Sequence, residues 1–282
     1  MSAPNLTSVG YRVKNHEDLR KNVPAAFATS NDPSRSNRYS FLPTEKLLDS
    51  FESAGWEINY AKQSGSSVFS RHLIRLSNPK LGWMDFDGDK VKPQALIDNS
   101  HDGKSSAKLY MGLFRLICTN GIVVSKPGLS SSVKFRHVGV DTKEIIELMD
   151  KVAQDYNLVQ NRIREWQDVP MNEDQKTEFV IRAMAMREPQ LFIKDDGTID
   201  SKLIIRTNNP NDLVMPIRGE DKPNNLWSVF NIVQERMVKG GYFRKSVKTG
   251  RRSVTRGMTN ATRHTKYNMK LWELAEEYAE AV

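Results

Sequence analysis

The chain has 282 residues, with 42 Lys and Arg against 34 Asp and Glu, a net charge of +8 and a pI near 9.4. That length holds one large domain or two small ones, and 38% hydrophobic residues can furnish a core. No apolar run approaches the roughly twenty residues of a membrane span. The start, Met1-Ser-Ala-Pro, lacks the basic and apolar regions of a signal peptide. One cysteine, Cys118, excludes an internal disulfide and a cysteine-rich metal site. A soluble protein of a reducing cytoplasm is expected.

Residues 1–42 read as a polar N-terminal arm, with 31–37 as a loop. Thr44 reads as the N-cap of a short helix whose Leu47, Leu48, Phe51 and Ala54 share one face and which Gly55 stops. From Trp56 to Val138, within a β-rich region spanning 43–140, the pattern becomes that of strands, at 68–76 and 81–86. Asp87-Gly88 is a hairpin turn leading to Val91. Strands continue through 94–99, 106–124 and 132–138, with a helix inside 109–118 as the competing reading. After Asp141 the chain turns helical. Asp141-Thr-Lys-Glu144 resembles a capped start, and an apolar stripe runs from Ile145 to Trp166. Further helices are expected at 172–187, closed by Pro189, at 225–239, ending at Gly240-Gly241, and at 267–279. Strands first and helices after predict an α+β fold: a mostly antiparallel sheet, then a helical region 141–282, within one integrated domain.

The charge is unevenly spread. Between Arg236 and Trp272 stand eleven Lys and Arg and no Asp or Glu, so the remainder of the chain is slightly acidic. Arg244, Lys245, Lys248, Arg251, Arg252, Arg256, Arg263 and Lys266 are the candidate phosphate contacts. Ser and Thr hydroxyls interleave with them and can donate to phosphate oxygens. Tyr242 and Phe243 are candidate platforms for unpaired bases. The competing reading is a solvated surface loop, although a loop shaped for solubility alone normally mixes charge signs. Arg35, Arg38 and Tyr39, with Phe41, form a second candidate, whose aromatics could equally pack against the following helix.

Other clusters point less clearly to chemistry. Asp85, Asp87 and Asp89 could hold Mg²⁺ on one strand face, but a turn at Asp87-Gly88 would break that geometry. His101-Asp102-Gly103-Lys104-Ser105 resembles the end of a phosphate loop, yet the pattern requires Gly where Asp98 stands; a turn is expected. Cys118 has apolar neighbours and reads as an inert buried thiol. The five histidines lack metal-ligand spacing. No catalytic constellation emerges, so no enzyme activity, cofactor or metal is expected.

Three runs occur together: His101-Asp-Gly103 followed by Arg115-Leu-Ile-Cys-Thr-Asn120; Leu226-Trp-Ser-Val-Phe-Asn-Ile-Val-Gln-Glu235 with Gly240-Gly241; and Leu271-Trp-Glu-Leu-Ala275. In this order they resemble a phage/plasmid-like family carried by mobile elements and classed as a domain of unknown function, over about Tyr39 to Ala279. The resemblance implies an origin in a phage, plasmid or integrative element, and hands over no active site. Single-strand annealing proteins offer an analogy: an α+β core, a basic groove and ring-like or filamentous oligomers. The leading expectation is a protein that binds single-stranded DNA and promotes annealing as a homo-oligomer. The 141–166 helix would serve as a subunit contact, or else pack in its own core. The alternatives are a counter-defence protein docking an acidic partner and, more weakly, a nuclease using the three aspartates.

Overall fold

The computed structural model describes residues 11–13, 15–35, 41–86, 88–105, 107–115, 121–123, 132–135, 156–218, 221–222 and 224–281. They divide into two units, with the boundary between Val159 and Gln160.

The N-terminal unit is built on an antiparallel sheet. Its strands are β1 (Tyr11–Arg12), β2 (Glu57–Gln63), β3 (His72–Ser77), β4 (Met84–Phe86), β5 (Asp89–Asn99), β6 (Ala107–Arg115), β7 (Gly121–Val123) and β8 (Ser132–Phe135). They run in the order β1-β2-β3-β5-β6-β7, with β4 pairing with β5 and β8 with β6. The 109–118 segment is therefore strand as far as Arg115; Cys118 lies outside the described residues, as do 136–155 and the start of the long apolar stripe.

Strand alternation sends Ile74, Leu76, Ala95, Ile97 and Leu109 to one face, where all are buried. Among the described residues this unit includes the α-helices α1 (His16–Asn22) and α2 (Thr44–Ser53). Helix α2 buries Leu47, Leu48 and Phe51, and the chain turns away at Gly55, φ 85°. Thr44 does not cap it, contrary to the sequence pattern: Pro43 occupies the cap position without a side-chain bond. The Thr44 hydroxyl is used inside the sheet instead. It lies 2.8 Å from His72 Nε2 and accepts from Asn99 Nδ2 at 2.9 Å.

The C-terminal unit is helical: α3 (156–168, most of which belongs here), α4 (Glu173–Arg187), α5 (Pro189–Phe192), α6 (Ser201–Thr207), α7 (Pro210–Val214), α8 (Leu226–Lys239) and α9 (Ala261–Glu280). Asn172 and Gln175 form a capping box on α4. Pro189 not only follows α4 but opens α5, where a missing N–H costs nothing. Helix α9 starts six residues before Tyr267, because Asn260 caps it by accepting from Arg263 N at 2.9 Å. Its first turns carry no apolar stripe to reveal them. The core gathers Trp166, Trp227, Phe230 and Trp272, all buried, with the Trp166 and Trp272 rings 4.3 Å apart. Among the described residues no helix is long and apolar enough to cross a membrane.

Candidate functional site

The basic segment is an ordered hairpin. After α8 ends at Lys239, Gly240 (φ 72°) and Gly241 (φ 86°) reverse the chain. Strands β9 (Phe243–Lys245) and β10 (Arg252–Val254) then pair antiparallel, with Lys245 opposite Arg252, Arg244 opposite Ser253 and Phe243 opposite Val254. The intervening turn is closed by Ser246 N donating to Arg251 O at 2.9 Å and Gly250 N to Ser246 O at 2.9 Å. The returning chain crosses the end of α8 so closely that a Cβ on Gly240 would stand 2.6 Å from Thr255 O, and one on Gly257 2.9 Å from Lys239 O. Glycine at both positions is what permits the crossing.

Alternation gives the hairpin two faces. On one, the Arg244 guanidinium pairs with the Glu188 carboxylate just beyond α4. The base is gripped from the same place: buried Arg187 donates to the Tyr242 hydroxyl and, at 2.5 Å, to Arg256 O, while Arg263 donates to Arg187 O. Tyr242 is only 5% exposed, and burial pushes its phenol pKa up. Its ring is thus part of the core and offers no face to a base, a correction to its expected role. The other face carries Phe243, Lys245, Arg252 and Val254. Phe243 is 54% exposed, and the Arg252 guanidinium lies over its ring, 4.2 Å from the centroid.

Exposed Lys245, Lys248, Arg251, Arg252 and Arg256 have no carboxylate within ion-pair distance among the described residues. Lys266 is also exposed, on α9. Other cations of the segment serve structure: Lys239 pairs with Glu235 at 2.9 Å, and Arg236 donates to Met215 O at 2.9 Å. Two cavities flank the hairpin. One, of about 320 Å³, lies between Ile205–Asn209 with Asp212 on one side and Phe243, Arg244, Lys245 and Arg252 on the other. The other, of about 560 Å³, is lined by Arg187, Arg244, Arg256 and Arg263 with a single carboxylate, Glu188. Sequence reading missed Arg187 and Glu188; a Glu188-Pro189 break at a helix end was the only trace of them.

The remaining candidates lie in the N-terminal unit. Arg35 is exposed, and its side chain rests on Gly103, where a Cβ would stand 2.6 Å from Arg35 Cδ. Arg38 and Tyr39 lie outside the described residues, as does Asp87. Asp85 accepts from Gly88 N at 2.7 Å, while Asp89 pairs with Arg115 at 2.7 Å. Asp85 sits opposite Lys90 and Asp89 opposite Phe86, which places the two carboxylates on opposite faces of their hairpin. The 101–105 segment is a turn, in which Asp102 accepts from Lys104 N at 3.0 Å. His72 and His101 are buried with rings 5.3 Å apart. His72 Nδ1 is 3.0 Å from Ser70 O, which makes Nε2 the acceptor for Thr44, and burial lowers the His72 pKa to about 4.

A family model described as "Domain of unknown function (DUF932)" matches residues 33–269. Two relatives from Escherichia coli (strain K12) are similar over most of their length. "UPF0380 protein YafZ" is 29% identical over 265 residues, 92% of this chain and 89% of the relative. "UPF0380 protein YfjQ" is 28% identical over 265 residues with the same coverage. No solved structure matches.

Proposed function

The chain belongs to the domain-of-unknown-function family DUF932, and from that premise we propose that it is a nucleic-acid-binding protein of a phage or mobile element, which coats single-stranded DNA and promotes annealing in homologous recombination. The observation that carries this reading is the open face of the β9–β10 hairpin. Unopposed cations there adjoin an exposed aromatic ring already stacked by arginine. Such a surface attracts phosphates irrespective of sequence, and the ring adds a platform that an unpaired base can use and a paired one cannot. Lys245, Lys248, Arg251, Arg252 and Arg256 neutralise the backbone, with Lys266 and Arg263 extending the field along α9. No hydrolysis or cofactor is required, and the protein acts in the bacterial cytoplasm. Repetition of the hairpin around a homo-oligomer would join these short patches into one track.

The test is a mobility shift of single- and double-stranded oligonucleotides across a salt series. Single strands should be retained preferentially, with affinity falling steeply as salt rises. Absence of a single-strand complex at low salt would discard the reading in favour of an acidic protein partner.

A further inference from the structure

The second face of the sheet in the N-terminal unit carries polar side chains among the buried Leu73 and Leu96. Tyr60 stands opposite Arg75, Arg75 opposite Leu96, and Leu96 opposite Tyr110. Gln94, two residues from Leu96 on the same face, stands opposite Gly112. Lys62, two residues from Tyr60, completes the group.

Arg75 is 3% exposed and Gln94 1%. Even so, Nε and Nη1 of Arg75 and both amide atoms of Gln94 have no hydrogen-bond partner. Of the carboxylates that register puts on this face, Asp98 is occupied by Arg71, which donates to it at 2.7 and 2.5 Å, and Glu57, opposite Ser77, is exposed. Burial lowers the Arg75 pKa to about 10, against a smaller opposing effect of Tyr60. Lys62 is pushed down by burial first and by Arg75 second, which brings a second cation to the same patch. Among the described residues this buried guanidinium has no ion-pair partner and the amide beside it nothing to bond, and such groups are costly to bury unless a ligand completes them.

We propose that this face holds a phosphate group, contacted by the Arg75 guanidinium and the Gln94 amide, with Lys62 adding positive charge. The unpartnered atoms choose the ligand. Arg75 and the Gln94 Nε2 are donors that need an anion, whereas Gln94 Oε1 needs a donor. A phosphate bearing one proton supplies both; a carboxylate supplies acceptors alone, and a phosphodiester linkage lacks the hydroxyl. The ligand is therefore inorganic phosphate or a terminal phosphate monoester, carried free or at the end of a strand. Because both side chains are shielded from solvent, entry requires local opening, and association should be slow compared with binding at the exposed hairpin.

Calorimetric titration of the full chain with sodium phosphate, against sodium chloride of matched ionic strength, tests this directly. A saturable site is expected in phosphate alone. Arg75→Met should weaken it about ten- to hundred-fold, the worth of a charged hydrogen bond. Its unliganded melting temperature should not fall, since an unpaired buried charge has been removed. Gln94→Leu should also weaken the site, and replacement of Arg251 and Arg252 should leave it unchanged. Absence of saturable heat in the parent protein overturns the proposal, as does undiminished affinity in both Arg75→Met and Gln94→Leu. Competition identifies the source of the ligand. Displacement of phosphate by a 5′-phosphorylated oligonucleotide, and not by its 5′-hydroxyl counterpart, assigns the site to a strand end. Displacement by neither assigns it to a free phosphate compound.

Discussion

Arg252 covers one side of the Phe243 ring at 4.2 Å from its centroid, and the ring is nonetheless 54% exposed. A guanidinium held against an aromatic presents charge and a flat apolar surface at the same point. Phe243→Ala should weaken single-strand affinity by about 1–3 kcal/mol, the usual worth of a base–aromatic stack. It should change folding stability by no more than about 0.5 kcal/mol. Fluorescence anisotropy with a labelled oligonucleotide, beside thermal unfolding, measures both.

Replacing Arg251, Arg252 and Arg256 together by Gln should act through charge. Each side chain is exposed, so the fold should persist. Loss of three single-strand phosphate contacts should flatten the log–log salt dependence of affinity by about two. An unchanged slope would show that the strand runs elsewhere.

Arg187 answers a different question. Its buried guanidinium serves the Tyr242 hydroxyl and the Arg256 carbonyl at once. Arg187→Met would leave the buried Tyr242 hydroxyl and the part-buried Arg256 carbonyl without this donor and should cost about 2–4 kcal/mol. Hydrogen exchange would report it first at the amides of Gly241 and Thr255, which tie the base of the hairpin. Gly240→Ala should also loosen this base, by about 1–3 kcal/mol, because φ 72° with ψ −145° is a glycine conformation.

The N-terminal unit should be acid-sensitive through His72. Burial holds its folded pKa near 4 against an ordinary 6.5, so the native state takes up that proton less readily than the unfolded chain does. The resulting contribution is complete above pH 6.5 and shrinks as pH falls towards 4, by about 2 kcal/mol at pH 5. Chemical denaturation at pH 5 and pH 7.5 should show this difference, and His72→Gln should reduce it.

The order of strands and helices was legible because apolar periodicity differs between them, and the charge asymmetry of 236–272 needed only counting. What escaped had physical reasons. The β9–β10 strands are three residues each and mostly polar, so no alternation could announce them. Thr44 carries a capping residue's chemistry, but the buried His72 and Asn99 outbid the helix end for its hydroxyl. Tyr242 looked exposed among cations because its partner, Arg187, lies 55 positions away in sequence. Arg75 and Gln94 were invisible for the same reason: only strand register brings them to one face.

The pairing of Lys245 directly opposite Arg252 gives the hairpin a two-way response to ions. Like charges across a strand pair push it apart, so added electrolyte should tighten the free hairpin while it loosens the bound strand. A bound polyanion would do what electrolyte does, locally and more strongly. Occupancy along a strand should therefore stiffen each hairpin it reaches, and amide protection in β9 and β10 should rise with either salt or ligand.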